Sequence, residues 1–384
     1  MRTFGLLGTA IAMTMAAAPG HAEDAPAPPA LAPPLAGPLT ANPEPVSFDL
    51  PVLGKLYVTA VGSGLIGTQS NTTPGVKSSF ADISNAQVMI QKADGPLQFF
   101  VQAGVYNHET LGLPYLKTTS FTDNTYGVVP QAWIKLVPVD NFNIQVGILP
   151  SMIGVETPFS FQNYNINRGM LWGQENVLTR GVQGNLTLGK LSLSMSLTDG
   201  FFSGKYNWLT GSAALAIDSS NTLAVVVGGA LNKNYKNTFA TPAVFNNSTI
   251  VNVIYTYSSG PVVITPYFQY TKINSLPLIG SGSAETWSGA ILAKYTVSDN
   301  FSLPVRVEYI DSKAKNAASP SLLYGPGSNA FSLTVTPTYT WKRFFARLEG
   351  SIVSASSITK GSAFGSTGNE KSQVRGRFEF GVMF

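Results

Sequence analysis

VRGRFEFGVMF, residues 374–384, alternates two kinds of side chain almost to its last position. Val374, Gly376, Phe378, Phe380, Val382 and Phe384 are apolar or small, and Arg375, Arg377 and Glu379 stand between them. Successive side chains of a strand point to opposite faces. One face of this strand is therefore apolar throughout and the other is charged. A soluble fold could bury such a strand at the edge of a core. A membrane barrel requires it, with lipid outside, water inside, and strands that close so that no backbone edge meets hydrocarbon.

Composition favours the barrel. Charged residues are 11% of the 384, well below the roughly 25% of soluble domains. Yet no uninterrupted apolar run of about 18 residues exists, which argues against a helical span. Few charges without a long apolar run is the signature of strands whose polarity alternates. The absence of Cys excludes disulfides and thiolate metal sites. A net charge of +4 gives no reason to expect a nucleic-acid partner.

Residues 1–22 read as a signal peptide. Arg2 precedes an apolar stretch from Phe4 to Ala18, and Gly20-His21-Ala22 offers small residues before Glu23-Asp24. Residues 23–53 are rich in Pro and Ala and suit neither a helix nor a central strand. They are expected to be a disordered, extended periplasmic linker of polyproline character.

From residue 54 the chain alternates short turns and long loops. Leu97, Phe99, Val101, Ala103 and Val105 share one parity, against Gln98, Gln102 and Gly104. Leu191, Leu193, Met195 and Leu197 oppose Ser192, Ser194, Ser196 and Thr198. Phe331, Leu333, Val335, Tyr339 and Trp341 oppose Ser332, Thr334, Thr336, Thr338 and Thr340. Such runs are long enough to cross a bilayer at a tilt. Turn chemistry at 93–96, 138–141, 189–190, 218–221, 258–261, 298–300 and 342–343 marks hairpins. These seven turns separate long-loop hairpins and give sixteen strands, approximately 54–65, 82–92, 97–106, 128–137, 142–149, 177–188, 191–199, 208–217, 222–231, 248–257, 262–272, 285–297, 301–311, 330–341, 344–354 and 373–384. The expected fold is an all-β, closed antiparallel transmembrane barrel over residues 54–384, with both ends on the periplasmic, short-turn side. Gly62 and Gly64 make the first strand the weakest of the set.

With these residues in view, the chain resembles the OmpL-like β-barrel porin family. The resemblance rests on GKLYVTAVGSGL at 54–65, NAQVMIQKADGPLQFFVQAG at 85–104 and NINRGMLWGQENVLTRGVQ at 165–183. It implies an integral protein of a Gram-negative outer membrane and carries no functional residues with it. The closing Phe384 also resembles the sorting signal read by the barrel-assembly machinery, which is thus an expected partner beside outer-membrane lipid and lipopolysaccharide.

A sixteen-stranded barrel leaves an aqueous channel, so function means permeation set by size and lumen charge. Residues 150–176 form the longest interstrand segment, and Met152, Phe159, Phe161, Tyr164, Met170 and Trp172 make it too apolar for a loop in water. It is expected to fold inward, placing Glu156, Arg168, Glu175 and Arg180 at or near a pore constriction. The alternative is packing over the mouth or at a subunit interface. By parity, Arg306, Glu308, Arg347, Glu349, Arg375, Arg377 and Glu379 form a lumen wall, since a Lys or Arg facing lipid costs roughly 2–4 kcal/mol at midplane. These charges either pair with one another or, with arginine in excess on the last two strands, favour anions.

Enzyme chemistry lacks its residues. Cleavage after Ala22 leaves His108 alone, beside Glu109 and Thr110, and a nucleophile needs a base within reach. No catalytic residue, cofactor or metal site is expected. The leading expectation is a porin for passive diffusion of small hydrophilic solutes, with a homotrimer as one open assembly. The alternative is a non-conducting or plugged barrel with a structural or adhesive role.

Overall fold

A computed structural model describes residues 30–384, apart from 74 and 317. The signal peptide expected at 1–22 lies outside the described residues. The strands are β1 (Val46–Leu50), β2 (Gly54–Gln69), β3 (Ser79–Lys92), β4 (Leu97–Tyr106), β5 (Gln131–Val139), β6 (Phe142–Pro150), β7 (Leu178–Leu188), β8 (Leu191–Thr198) and β9 (Trp208–Ala216). They continue as β10 (Asn221–Ala230), β11 (Ser248–Ser259), β12 (Val262–Ile273), β13 (Ala284–Ser298), β14 (Phe301–Ala314), β15 (Asn329–Val335), β16 (Thr338–Trp341), β17 (Phe344–Ser356) and β18 (Ser372–Met383). One helix, α1 (Thr118–Asn124), lies in a long loop.

From β2 onward successive strands pair antiparallel, apart from β15 with β16, and β18 pairs with β2, so the sheet closes on itself. β15 and β16 are halves of one stave, because both pair with β14 and β17. The seventeen segments β2 to β18 therefore make sixteen staves. Pro337 explains the break, since it has no N–H for the ladder. Around it, Thr336 N donates to Pro304 O and Leu348 N to Pro337 O. The first stave extends to Gln69 despite its glycines. Gly62 and Gly64 are ordinary ladder positions opposite Val382 and Phe380, and a bulge between Ser63 and Gly64 corrects the register against β3.

Parity sorts lipid from lumen. On β17, Leu348 and Ile352 are exposed on the outer face, while Arg347, Glu349 and Ser351 are buried on the inner. Trp287, Tyr309, Tyr339 and Trp341 are also exposed outside, as an interfacial aromatic belt requires. Leu348→Lys is expected to destabilise the barrel by roughly 2–4 kcal/mol, depending on depth. Urea unfolding in lipid vesicles measures this, and an unchanged midpoint would contradict the assignment of this face to lipid.

The inner face departs from the expected polar lining in several places, among them Val61 and Leu65 on β2, Phe345 on β17 and a larger set on β10 to β13. Val226, Ile250, Ile254, Val263 and Leu292 on β10 to β13 point inward and are buried. The same apolar cluster contains Met152, Ile153, Met170 and Leu171 from the loop between β6 and β7. Apolar side chains inside the barrel thus meet apolar loop residues, and burying them together removes both from water.

β1 is not a stave. It pairs with residues 54–58 of β2, just beyond the point where Phe384 pairs with Ala60. It therefore prolongs the row of β18 toward the short-turn end.

Candidate functional site

The β6–β7 loop, residues 151–177, crosses the barrel interior. Its backbone is tied to the wall at many points. Gly154 N donates to Asn252 Oδ1, and Gln269 Nε2 donates to Leu171 O at 3.0 Å. Thr286 Oγ1 donates to Gln174 Oε1 at 2.7 Å, and Ser160 Oγ to Glu379 Oε1 at 2.8 Å. Ser212 Oγ lies 3.5 Å from Met152 Sδ. The loop thus touches inward residues from β9 round to β18. Two short 3-10 turns, Ser160–Gln162 and Trp172–Gln174, let a segment with little regular structure satisfy part of its own backbone.

Charges from the wall hold this loop. Glu349 accepts from Ile166 N at 2.6 Å, from Asn167 N and Nδ2, and from Thr336 Oγ1 at 2.9 Å. Arg306 Nη1 donates to Glu156 Oε1 at 2.6 Å and to Asn167 O at 2.8 Å. Glu308 accepts from Ser332 Oγ and, at 3.3 Å, from Leu171 N. Arg347 pairs with Glu379 on the neighbouring strand and also donates to Asn163 O at 3.1 Å. All seven of Arg306, Glu308, Arg347, Glu349, Arg375, Arg377 and Glu379 are no more than 2% exposed. Burial of this depth requires every charge to be ion-paired or, as for Glu349, met by several hydrogen-bond donors.

Pairing within a strand is seen for Arg306 and Glu308, whose Nε and Oε2 are 3.3 Å apart. Elsewhere partners come from other elements. Arg375 and Arg377 both reach Glu109, in the loop after β4, and Arg377 Nε lies 2.9 Å from each of its oxygens. Glu109 supplies the third carboxylate beside Glu349 and Glu379, so the three arginines of β17 and β18 are matched by three glutamates. The basic excess on the last two strands is thereby neutralised locally.

Of the four charges expected at or near the constriction, Glu156, Arg168 and Glu175 lie in the loop and Arg180 lies on β7. Glu156 and Arg168 both lie in the interior, where Glu156 accepts from Gly169 N and pairs with Arg306. Glu175 is buried, and burial raises its carboxyl well above the usual range, with Glu156 and Glu308 adding to the rise. Arg180 sits apart. Its Nε donates to Asp199 Oδ2 at 2.7 Å, and its guanidinium stacks 4.1 Å from the Phe202 ring centroid. Sequence reasoning missed Glu109, Asn163, Asn165 and Asn167. Their contacts are between loop and wall, and no local periodicity announces those.

Arg168 donates from Nη2 to Asn107 O at 3.1 Å, and its burial lowers its pKa to about 10. His108 lies in an aromatic box, with the rings of Phe121, Tyr106, Phe159 and Trp172 centred 4.9–5.5 Å away. Burial, reinforced by Arg168, depresses its pKa well below 6.5. The folded state therefore keeps a neutral imidazole where the unfolded chain takes up a proton. Stability is lost as pH falls below about 6.5, by up to roughly 1.4 kcal/mol per pH unit. His108→Phe is expected to remove about 2 kcal/mol of the acid destabilisation between pH 7 and pH 5. Urea unfolding of both proteins at the two pH values decides, and parallel losses would contradict a buried neutral His108.

The Pro-rich segment brings a second occupant. From residue 30 it is docked inside the barrel and does not behave as a free spacer. Ala32 N donates to Gln91 Oε1 at 2.8 Å, and Gln91 Nε2 returns a bond to Ala32 O. Ala36 N donates to Gln162 O at 3.0 Å in the infolded loop. Leu39 is buried in a cluster with Val61, Tyr106, Phe159, Phe161 and Phe345. Gly37 passes so close to the loop that a Cβ would lie 2.2 Å from Asn163 O. Proline suits this route because it leaves fewer backbone donors to satisfy in a confined space. The strap then leaves along β1.

Comparison with known proteins agrees with this architecture. No curated protein matches the sequence. Among solved structures, the trimer form of in-vitro folded OmpT, an outer membrane protein of Vibrio cholerae, is 10% identical with a TM-score of 0.56, over 86% of this chain and 99% of that one. The outer membrane channel DcaP of Acinetobacter baumannii is 12% identical with a TM-score of 0.55, over 86% and 97%. Salmonella typhi OmpF, in complex with daunomycin, is 13% identical with a TM-score of 0.54, over 86% and 98%. At these identities the likeness is one of fold. A family model described as beta-barrel porin-2, OmpL-like, matches residues 56–384. The chain therefore belongs to the OmpL-like beta-barrel porin-2 family and is an integral barrel of the outer membrane.

Proposed function

We propose that the barrel is a channel for passive diffusion of small hydrophilic solutes, and that the β6–β7 loop sets its narrowest point. The observation that carries this reading is the loop itself, bound across a sixteen-stave ring whose width otherwise suits an aqueous channel. In this reading Glu156 and Arg168 are the charges that act at the constriction, and Glu175, whose carboxyl burial shifts toward the neutral form, is a polar group beside them. Arg180, bound to Asp199, acts nearer the β7 end. A homotrimer is the proposed assembly, supported by a trimer form among the similar structures. Planar-bilayer recording of the purified protein tests the channel. Discrete, ohmic conductance steps are expected, and their absence would overturn free diffusion.

A second reading is favoured by the strap. It packs against the infolded loop from within the barrel, as a resting plug would. A plugged barrel would be silent until loop or strap is removed, which the deletions discussed below distinguish.

A further inference from the structure

The lipid-facing surface holds a groove of about 310 Å³, lined on the outer face by Tyr339, Trp341, Phe344, Ala346 and Phe380, with Phe345 at its edge turning its side chain into the barrel. Register explains it. Ala346 stands opposite Tyr339 on β16 and opposite Phe380 on β18, and Phe344 stands opposite Trp341. A single methyl is thus flanked by large rings on both sides. Phe344 lies near-parallel to Trp341 and to Phe380, with centroids 6.1 and 6.3 Å apart. Tyr339, Trp341, Phe344 and Phe380 are all exposed on the outer face. The interruption at Pro337 lies directly before β16 and loosens the ladder beside the groove.

The turn that closes this hairpin is Lys342-Arg343, on the short-turn side. Both side chains are exposed, and among the described residues neither has an ion-pair partner. Lys342 Nζ lies 5.0 Å from the Trp341 ring centroid, and the Arg343 guanidinium 5.9 Å from that of Phe384. The terminal residue is itself turned toward β2, where its backbone exchanges hydrogen bonds with Ala60. Two free cations at the mouth of an apolar groove match one kind of amphiphile. Its chain is apolar, its headgroup is anionic, and it comes from the leaflet facing the short turns.

We propose that this groove binds an anionic phospholipid of the periplasmic leaflet, with one acyl chain over Ala346 and the headgroup phosphate held by Lys342 and Arg343. Basic residues beside a membrane surface favour anionic lipid, and aromatic rings at that depth suit the boundary between chain and headgroup. The site depends on the barrel's placement in the membrane and is independent of the channel reading.

The test uses full-length protein in nanodiscs exchanged against vesicles of phosphatidylglycerol or phosphatidylcholine, with bound lipid counted by native mass spectrometry. Wild type is expected to retain phosphatidylglycerol in preference to phosphatidylcholine. Removing each cation, in Lys342→Gln and Arg343→Gln, is expected to weaken that retention roughly five-fold. Ala346→Phe fills the groove and is expected to abolish retention of either lipid. Heat-modifiable gel mobility checks that each variant is a folded barrel. Equal retention of both lipids by wild type, or full retention by folded Ala346→Phe, would overturn the proposal. A change in oligomeric state without a change in bound lipid would assign the groove to contacts between copies and overturn it equally.

Discussion

Glu349→Ala is expected to set the β6–β7 loop loose. The carboxylate accepts from two backbone amides and one side-chain amide of the loop and from Thr336 of the wall. Removing it leaves those donors unpaired and strips a negative charge from beside Arg306 and Arg375. Losing one member of a buried charge network costs roughly 3–5 kcal/mol. The closed ladder stays intact, because Glu349 contributes its backbone to the barrel whatever its side chain. The effect should therefore concentrate in the loop. Amides of residues 160–171 should exchange with solvent far faster, and bilayer currents should become noisier as the loop moves. Unchanged exchange in this segment would show that Glu349 does not anchor it.

Deleting residues 23–45 tests the strap. The deletion removes the Ala32–Gln91 and Ala36–Gln162 bonds and takes Leu35 and Leu39 out of the cluster beneath the loop. All sixteen staves remain, so folding in detergent should survive. Conductance should rise roughly two-fold or more, since an occupant of the lumen is withdrawn. Gly37→Val offers a milder version. The added side chain would collide with the backbone of Asn163, which cannot yield cheaply. It should therefore undock the strap and raise conductance without shortening the chain. If neither variant changes conductance, the strap does not restrict the channel.

The staves were legible because lipid enforces parity. Leu348 and Phe378 could face only outward, and Arg347 and Glu379 only inward, once the strand was read as a span. The turns were legible for the same local reason, as at Asp94-Gly95 and Asp218-Ser219-Ser220-Asn221. What escaped was everything decided across the barrel. Glu109 looks like any loop carboxylate until β18 presents Arg375 and Arg377 to it. Val226 and Ile254 break the polar inner parity because Met152 and Ile153 belong to the same buried cluster, a pairing far apart in sequence. The strap escaped because a run of Pro and Ala has no periodicity to read, and its docking rests on paired bonds to Gln91 and Gln162, far along the chain, and on the burial of Leu39. Arg180 was grouped with the loop charges by proximity in sequence, and Asp199 on the far side of the β7–β8 hairpin holds it apart from them.

Single-channel recording of a variant in which residues 158–170 are replaced by a short Gly-Ser link bears most directly on the loop as the restricting element. Set beside wild type in the same salt, the variant should give steps several times larger, or steps where wild type gives none. Equal conductance in the two proteins, with the variant shown to be folded, would mean that the loop does not govern passage through this barrel.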